Sequence, residues 1–271
     1  MLRRRGPVRP VLGTAVLLAL VACGPAPADP TLPESPALPT TPTTTPRTDS
    51  GPDTEAETEA EAEVEVEVEA LGIDLTAHST SDPDSPWVVV NPDRAFDPLD
   101  HEPDDLVTVQ GHQVRKMVAG DLRTLLDAAR EDGVHVTLTS AFRSYEAQHR
   151  AHAGAIARNG RVVGEQISAR PGHSEHQSGL AVDFGSSTRP GCNLARLCFD
   201  ETVEAVWLAE HASRHGFILR YAPGQESVTG YLSEGWHFRW VGRELATWMQ
   251  DEGLTTLEDV FGLPPAGSAD D

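Results

Sequence analysis

The sequence predicts an α+β domain: a small antiparallel sheet flanked by helices, preceded by a disordered linker. Three observations carry this. Short apolar or alternating runs at 87–90, 134–139, 179–185, 217–221 and 236–240 read as strands. Helical spacing fills 114–132, 145–158 and 203–215, without the regular strand–helix alternation of a parallel sheet. Up to about residue 70, Pro and Thr and then Glu dominate, and such a segment cannot bury enough apolar surface to offset its ordering entropy.

The chain opens with Arg3, Arg4, Arg5 and Arg9, then an apolar run over 11–22 that is too short for an ordinary membrane helix. This is an export signal. It ends in Leu20-Val21-Ala22-Cys23, and small residues before a Cys resemble a bacterial lipoprotein signal. That reading makes 1–23 the signal and Cys23 the lipid-bearing N-terminus, anchored in the membrane by its acyl chains; a plain secretory signal with an incidental Cys is the alternative. Residues 24–80 form the linker. The Glu-Val alternation over 55–69 mimics a strand, but one face would be all carboxylate, so a self-repelling stalk is expected. The net charge is −21 and the excess of acid continues through the folded part, which argues against a nucleic-acid partner.

The folded domain is expected over 81–265, with a tail at 266–271 and fraying beyond Leu263. Residues 87–90 give the first strand, and Pro92, Pro98 and Pro103 keep the next stretch irregular. In the helix over 114–132, Val114, Met117, Val118, Leu122, Leu125, Leu126 and Ala129 share one side, and Gly133 caps it. Val134, Val136 and Leu138 face inward from the next strand. In the helix that follows, His149 and His152 read as solvent-facing, and 159–170 reads as a polar loop. Cys192 and Cys198 enclose five residues, and in an exported protein such a pair is expected to form a disulfide. Asp200 is placed to cap a helix whose apolar side runs through Val203, Val206, Trp207, Ala209 and Ala212. In the last strand, Trp236 and Phe238 share one face and His237 takes the other.

The chemistry concentrates in Ser174-Glu175-His176-Gln177-Ser178-Gly179-Leu180-Ala181-Val182-Asp183, completed by Glu234-Gly235-Trp236-His237. His176, Asp183 and His237 make a three-ligand set for Zn2+ that leaves a fourth position open. Glu234, three residues before the last His, is placed as a general base, with Gly235 giving the backbone freedom to reach the metal side. His173, next to Ser174, is left for a rim role. Ser-x-His-x-x-Gly-x-Ala-x-Asp followed by Glu-x-Trp-His resembles the signature of zinc D,D-peptidases of the VanY-like carboxypeptidase type, over about residues 88–249.

That resemblance implies a central sheet with zinc in a cleft, and removal of the terminal D-Ala from peptidoglycan stem peptides. The segment Ser140-Ala141-Phe142-Arg143-Ser144-Tyr145-Glu146-Ala147-Gln148 is similar to a family block, implying substrate contacts from Arg143 and Gln148; Ser174 of the signature joins them. A guanidinium suits a free C-terminal carboxylate. The expected protein is a monomer, exported and anchored facing the wall. An L,D-carboxypeptidase or endopeptidase on wall peptides is one alternative. A non-catalytic wall-binding module is another, although no ligand and no base is missing from the motif.

Overall fold

The computed structural model describes residues 72–192 and 198–267; Cys23, the linker up to 71 and the last four residues lie outside the described residues. Chain order runs β1 (Leu106–Val109), β2 (His112–Arg115), α1 (Lys116–Glu131), β3 (Val136–Ser140), α2 (Tyr145–Asn159) and α3 (Arg161–Ile167). It continues with β4 (Ala181–Ser186), α4 (Val203–His211), β5 (Phe217–Leu219), α5 (Glu226–Thr229), β6 (His237–Trp240), α6 (Arg243–Asp251) and α7 (Leu257–Val260). The main sheet has the order β3-β4-β6-β5, with every neighbouring pair antiparallel, and β1 and β2 form a separate hairpin. This is the expected α+β architecture.

The sheet's pleat separates core from site. In β4 all six residues are buried. Val182 and Phe184 point to one face, where with Leu138 and Phe238 they pack against Val118, Leu122 and Leu125 of α1. Asp183 points to the other face and stands opposite His237 of β6. The pairing of β3 with β4 slips between Leu138 and Ser140, beside Asp183, and such irregularities re-aim side chains next to sites. A second apolar cluster joins Trp87, Val89 and Ile218 to Leu245, Met249 and Leu257.

Several sequence expectations are corrected. Residues 87–90 are buried but form no strand. Their polar groups go elsewhere: Val89 N–H donates to Thr80 O, Trp87 Nε1 to Val241 O, and Val88 O accepts from Arg239. The first two strands are the hairpin β1–β2, turned by Gln110 and Gly111 at φ 46° and 84°. Val114 therefore belongs to β2, the helix starts at Lys116, and Met117 is exposed. The expected loop at 159–170 contains α3. Gly164 lets α3 lie on α2, since a Cβ there would sit 2.8 Å from Ile156 Cα.

Thr202, not Asp200, caps α4 by accepting from Ala205 N–H. The helix is rotated accordingly: Val203 and Val206 are exposed, while Trp207 and Leu208 are buried. Ordered packing starts before residue 81, with Ile73 and Leu75 against the second cluster. It also continues past Leu263, where Ala266 N–H donates to Val228 O. Cys192 and Cys198 are bonded, with Cα atoms 5.0 Å apart. Among the described residues no helix is long and apolar enough to cross a membrane.

Candidate active site

A 3₁₀ turn, Glu175–Ser178, leads into β4 and is closed by Gly179 at φ 69°. A side chain at Gly179 would be strained there and would press on Arg115, whose N–H donates to Gly179 O. The turn carries His176. Its Nδ1 donates to Ala141 O at 2.7 Å, which leaves Nε2 facing Asp183 Oδ2 at 3.2 Å. His237 approaches the same carboxylate from β6, with Nδ1 3.1 Å from Asp183 Oδ1. The two imidazoles meet edge to face at 4.8 Å.

His176, Asp183 and His237 each offer a ligand atom within 4.8 Å of the others, and all three are buried. Among the described residues this is the only such His/Asp/Glu/Cys group. Burial opposes ionisation of Asp183, but the two imidazoles beside it hold its carboxyl well below the usual carboxylate range. Burial pushes the His176 ring down. Burial also disfavours a charged His237, yet its hydrogen bonds to Asp183 and Glu175 push it up to about 9. Two imidazoles and a carboxylate at this spacing, each ring with its second nitrogen already bonded, are the donor set zinc prefers. His237 must release its Nδ1 proton to bind a metal there.

Glu234 stands in the turn before β6, where its carbonyl accepts from His237 N–H. Its carboxylate is 16% exposed, with Oε2 3.9 Å from His237 Nδ1, close to the metal donors without being one of the group. Gly235 next to it has no positive φ. The expectation that it supplies backbone freedom is therefore corrected: glycine is there for room, because a Cβ would collide with Asp200 Oδ1 at 1.4 Å.

Arg143 follows β3. Its Nη1 donates to Gln148 Oε1 at 2.8 Å and its Nη2 to Ser140 Oγ at 2.9 Å. Gln148 is itself buried, with Nε2 donating to Ala169 O at 2.6 Å, so it orients Arg143 and the loop at 168–169. Arg143, Gln148, Ser174, His176, Asp183, Glu234 and His237 all line one cavity of about 170 Å³.

His149 is exposed, as expected, but His152 is half-buried, its Nδ1 bonded to Ser168 O. His173 turns away from the cavity, its Nδ1 bonded to Asn91 O. Sequence reasoning missed Tyr221 and Tyr231, which also line the cavity. The Tyr221 ring lies 4.8 Å from that of His237, and burial pushes both tyrosine hydroxyls up. No spacing signal marks them, since each reaches the site through a loop.

The sequence model of the VanY family, described as D-alanyl-D-alanine carboxypeptidase, matches residues 111–243. The chain is 35% identical over 189 residues to the putative carboxypeptidase YodJ of Bacillus subtilis, covering 66% of this chain and 68% of that protein. The structure of the LdcB LD-carboxypeptidase superposes with a TM-score of 0.60 at 34% identity, covering 66% of this chain and 87% of that one. A Glu-to-Ala mutant of a vancomycin-resistance D,D-pentapeptidase VanY from a VanB-type cassette, in complex with Zn(II), superposes with a TM-score of 0.55 at 31% identity, covering 64% of this chain and 96% of that one. With the motif filled, its three donors gathered in one buried cleft and the fold shared, this chain belongs to the VanY family of zinc D-alanyl-D-alanine carboxypeptidases.

Proposed function

We propose that the protein is a zinc metallopeptidase that hydrolyses the C-terminal D-Ala-D-Ala bond of peptidoglycan stem peptides. The observation that carries this is one cavity holding the His176–Asp183–His237 donors, the Glu234 carboxylate and the Arg143 guanidinium together. Zinc, when bound, supplies Lewis acidity that polarises a carbonyl and makes water nucleophilic near neutral pH. His176, through Nε2, His237, through Nδ1, and the Asp183 carboxylate are the residues that would hold it. Arg143 has two N–H groups committed to Gln148 and Ser140, and the remaining three are available to the substrate's terminal carboxylate. Glu234 takes the proton of the attacking water and passes it to the leaving amine nitrogen, which departs as D-Ala.

A second reading has a specific support: the LdcB likeness is to an L,D-carboxypeptidase. Incubation with a stem pentapeptide and a stem tetrapeptide, read by mass, separates the readings. Loss of D-Ala from the pentapeptide alone supports D,D-hydrolysis. Loss from the tetrapeptide moves the function to L,D-hydrolysis, and loss from neither leaves a wall-binding module. Export fits a wall substrate. The anchor belongs to this reading as well: the protein is a monomer held at the membrane by lipid on Cys23, with the acidic stalk giving reach into the wall. The mass of the mature N-terminus tests it.

A further inference from the structure

We propose that Glu175 is a positioning residue for the metal site, tying the ring of His237 to the C-terminal helix α7. This rests on the ligand set proposed above. By sequence Glu175 adjoins His176 and would suit a reserve base. Its geometry gives it another role. The side chain is fully buried, and Oε1 is occupied by Arg220 Nε and Arg239 Nη1, both at 2.9 Å. Its Oε2 lies 3.4 Å from His237 Nε2 and accepts that proton.

The consequence is a choice of tautomer. With Nε2–H committed to Glu175, His237 can offer only Nδ1 to a metal, the atom that already faces Asp183. His176 is the mirror case, with Nδ1 committed to Ala141 O and Nε2 facing Asp183 Oδ2. The two imidazoles present opposite nitrogens because their outer partners differ.

The hold on Glu175 extends outward. Arg220 donates to both oxygens of Glu258 in α7, at 2.8 and 2.9 Å, and Asn91 Nδ2 donates to Glu258 Oε1 at 3.1 Å. Arg239 Nη2 bonds Pro86 O and Val88 O. Two carboxylates and two guanidiniums are thus buried with balanced charge. Such clusters are weak sources of stability, so a role in fixing geometry accounts better for this one. Asn91 and Glu258 lie outside the family-matched residues 111–243, so the flanks of this chain take part in its own site.

The test begins with the wild-type full chain, labelled with ¹⁵N-histidine and loaded with zinc. A long-range ¹H–¹⁵N spectrum is expected to show His237 protonated at Nε2 and shifted by zinc at Nδ1. A proton on Nδ1 would overturn this inference alone; no zinc-induced shift at either nitrogen would overturn the ligand set with it. Glu175→Gln is expected to weaken zinc binding by about 10- to 100-fold in chelator competition, well below its melting temperature. Glu258→Gln, which touches no ligand, is expected to show a smaller loss in the same direction. A lowered melting temperature with unchanged zinc affinity in both variants would make the cluster merely structural and refute the proposal.

Discussion

Replacing Arg143 by Ala, assayed with paired substrates, tests the recognition half of the mechanism. The guanidinium has five N–H donors, and Gln148 and Ser140 use one each. Two of the remaining three can hold a carboxylate bidentately. Charge-assisted hydrogen bonds contribute about 1.5–3 kcal/mol each, and the 28% exposure of this side chain argues for the low end. The pair is then worth about 3 kcal/mol, or roughly 10²-fold in kcat/KM. Arg143 also lies 3.9 Å from Asp183 Oδ2, so its loss disturbs the metal donors as well. Comparing a stem pentapeptide with its C-terminal carboxamide removes that complication, because the disturbance affects both substrates alike. In the wild type, amidation is expected to lower kcat/KM by about 10²-fold; in Arg143→Ala it is expected to change it by less than about threefold. If amidation costs the variant as much as the wild type, Arg143 does not bind the carboxylate.

Three further outcomes are expected. Glu234→Gln keeps the shape of the turn before β6 and removes the base, so D-Ala release should fall by about 10² to 10⁴-fold while zinc content by atomic absorption stays at one per chain; loss of zinc instead would make Glu234 a ligand. Asp183→Ala removes the carboxylate between both imidazoles and should abolish stoichiometric zinc at nanomolar free metal, while the melting transition of the apo protein remains cooperative, since the two apolar clusters do not include it. Cys192→Ser with Cys198→Ser should lower stability by about 2 kcal/mol in urea titration, the modest effect of closing a loop with a sequence separation of 6; an unchanged midpoint would show that the bridge restrains nothing in the unfolded chain.

The sequence by itself singled out the proposed donors and the proposed base. His176, Asp183, Glu234 and His237 sit at fixed spacings within a motif, and metal chemistry requires those residue types whatever surrounds them. It also determined the facing of His237 away from the core, because a strand alternates with period two and Trp236 and Phe238 supply the apolar side. What alternation could not give is which strands pair. Asp183 meets His237 only because β4 and β6, more than fifty residues apart, are neighbours in that register. The hairpin β1–β2 was hidden because its strands are four residues long and merge into the helical pattern of α1. The phase of α4 was set by its Thr202 cap, which turned Val203 and Val206 outward. Glu175 shows the limit most clearly. One residue from a proposed ligand, it would suit a reserve base by sequence alone. Only the tertiary structure brings Arg220, Arg239 and Glu258 around it, and burying a charge is tolerable only where such partners converge.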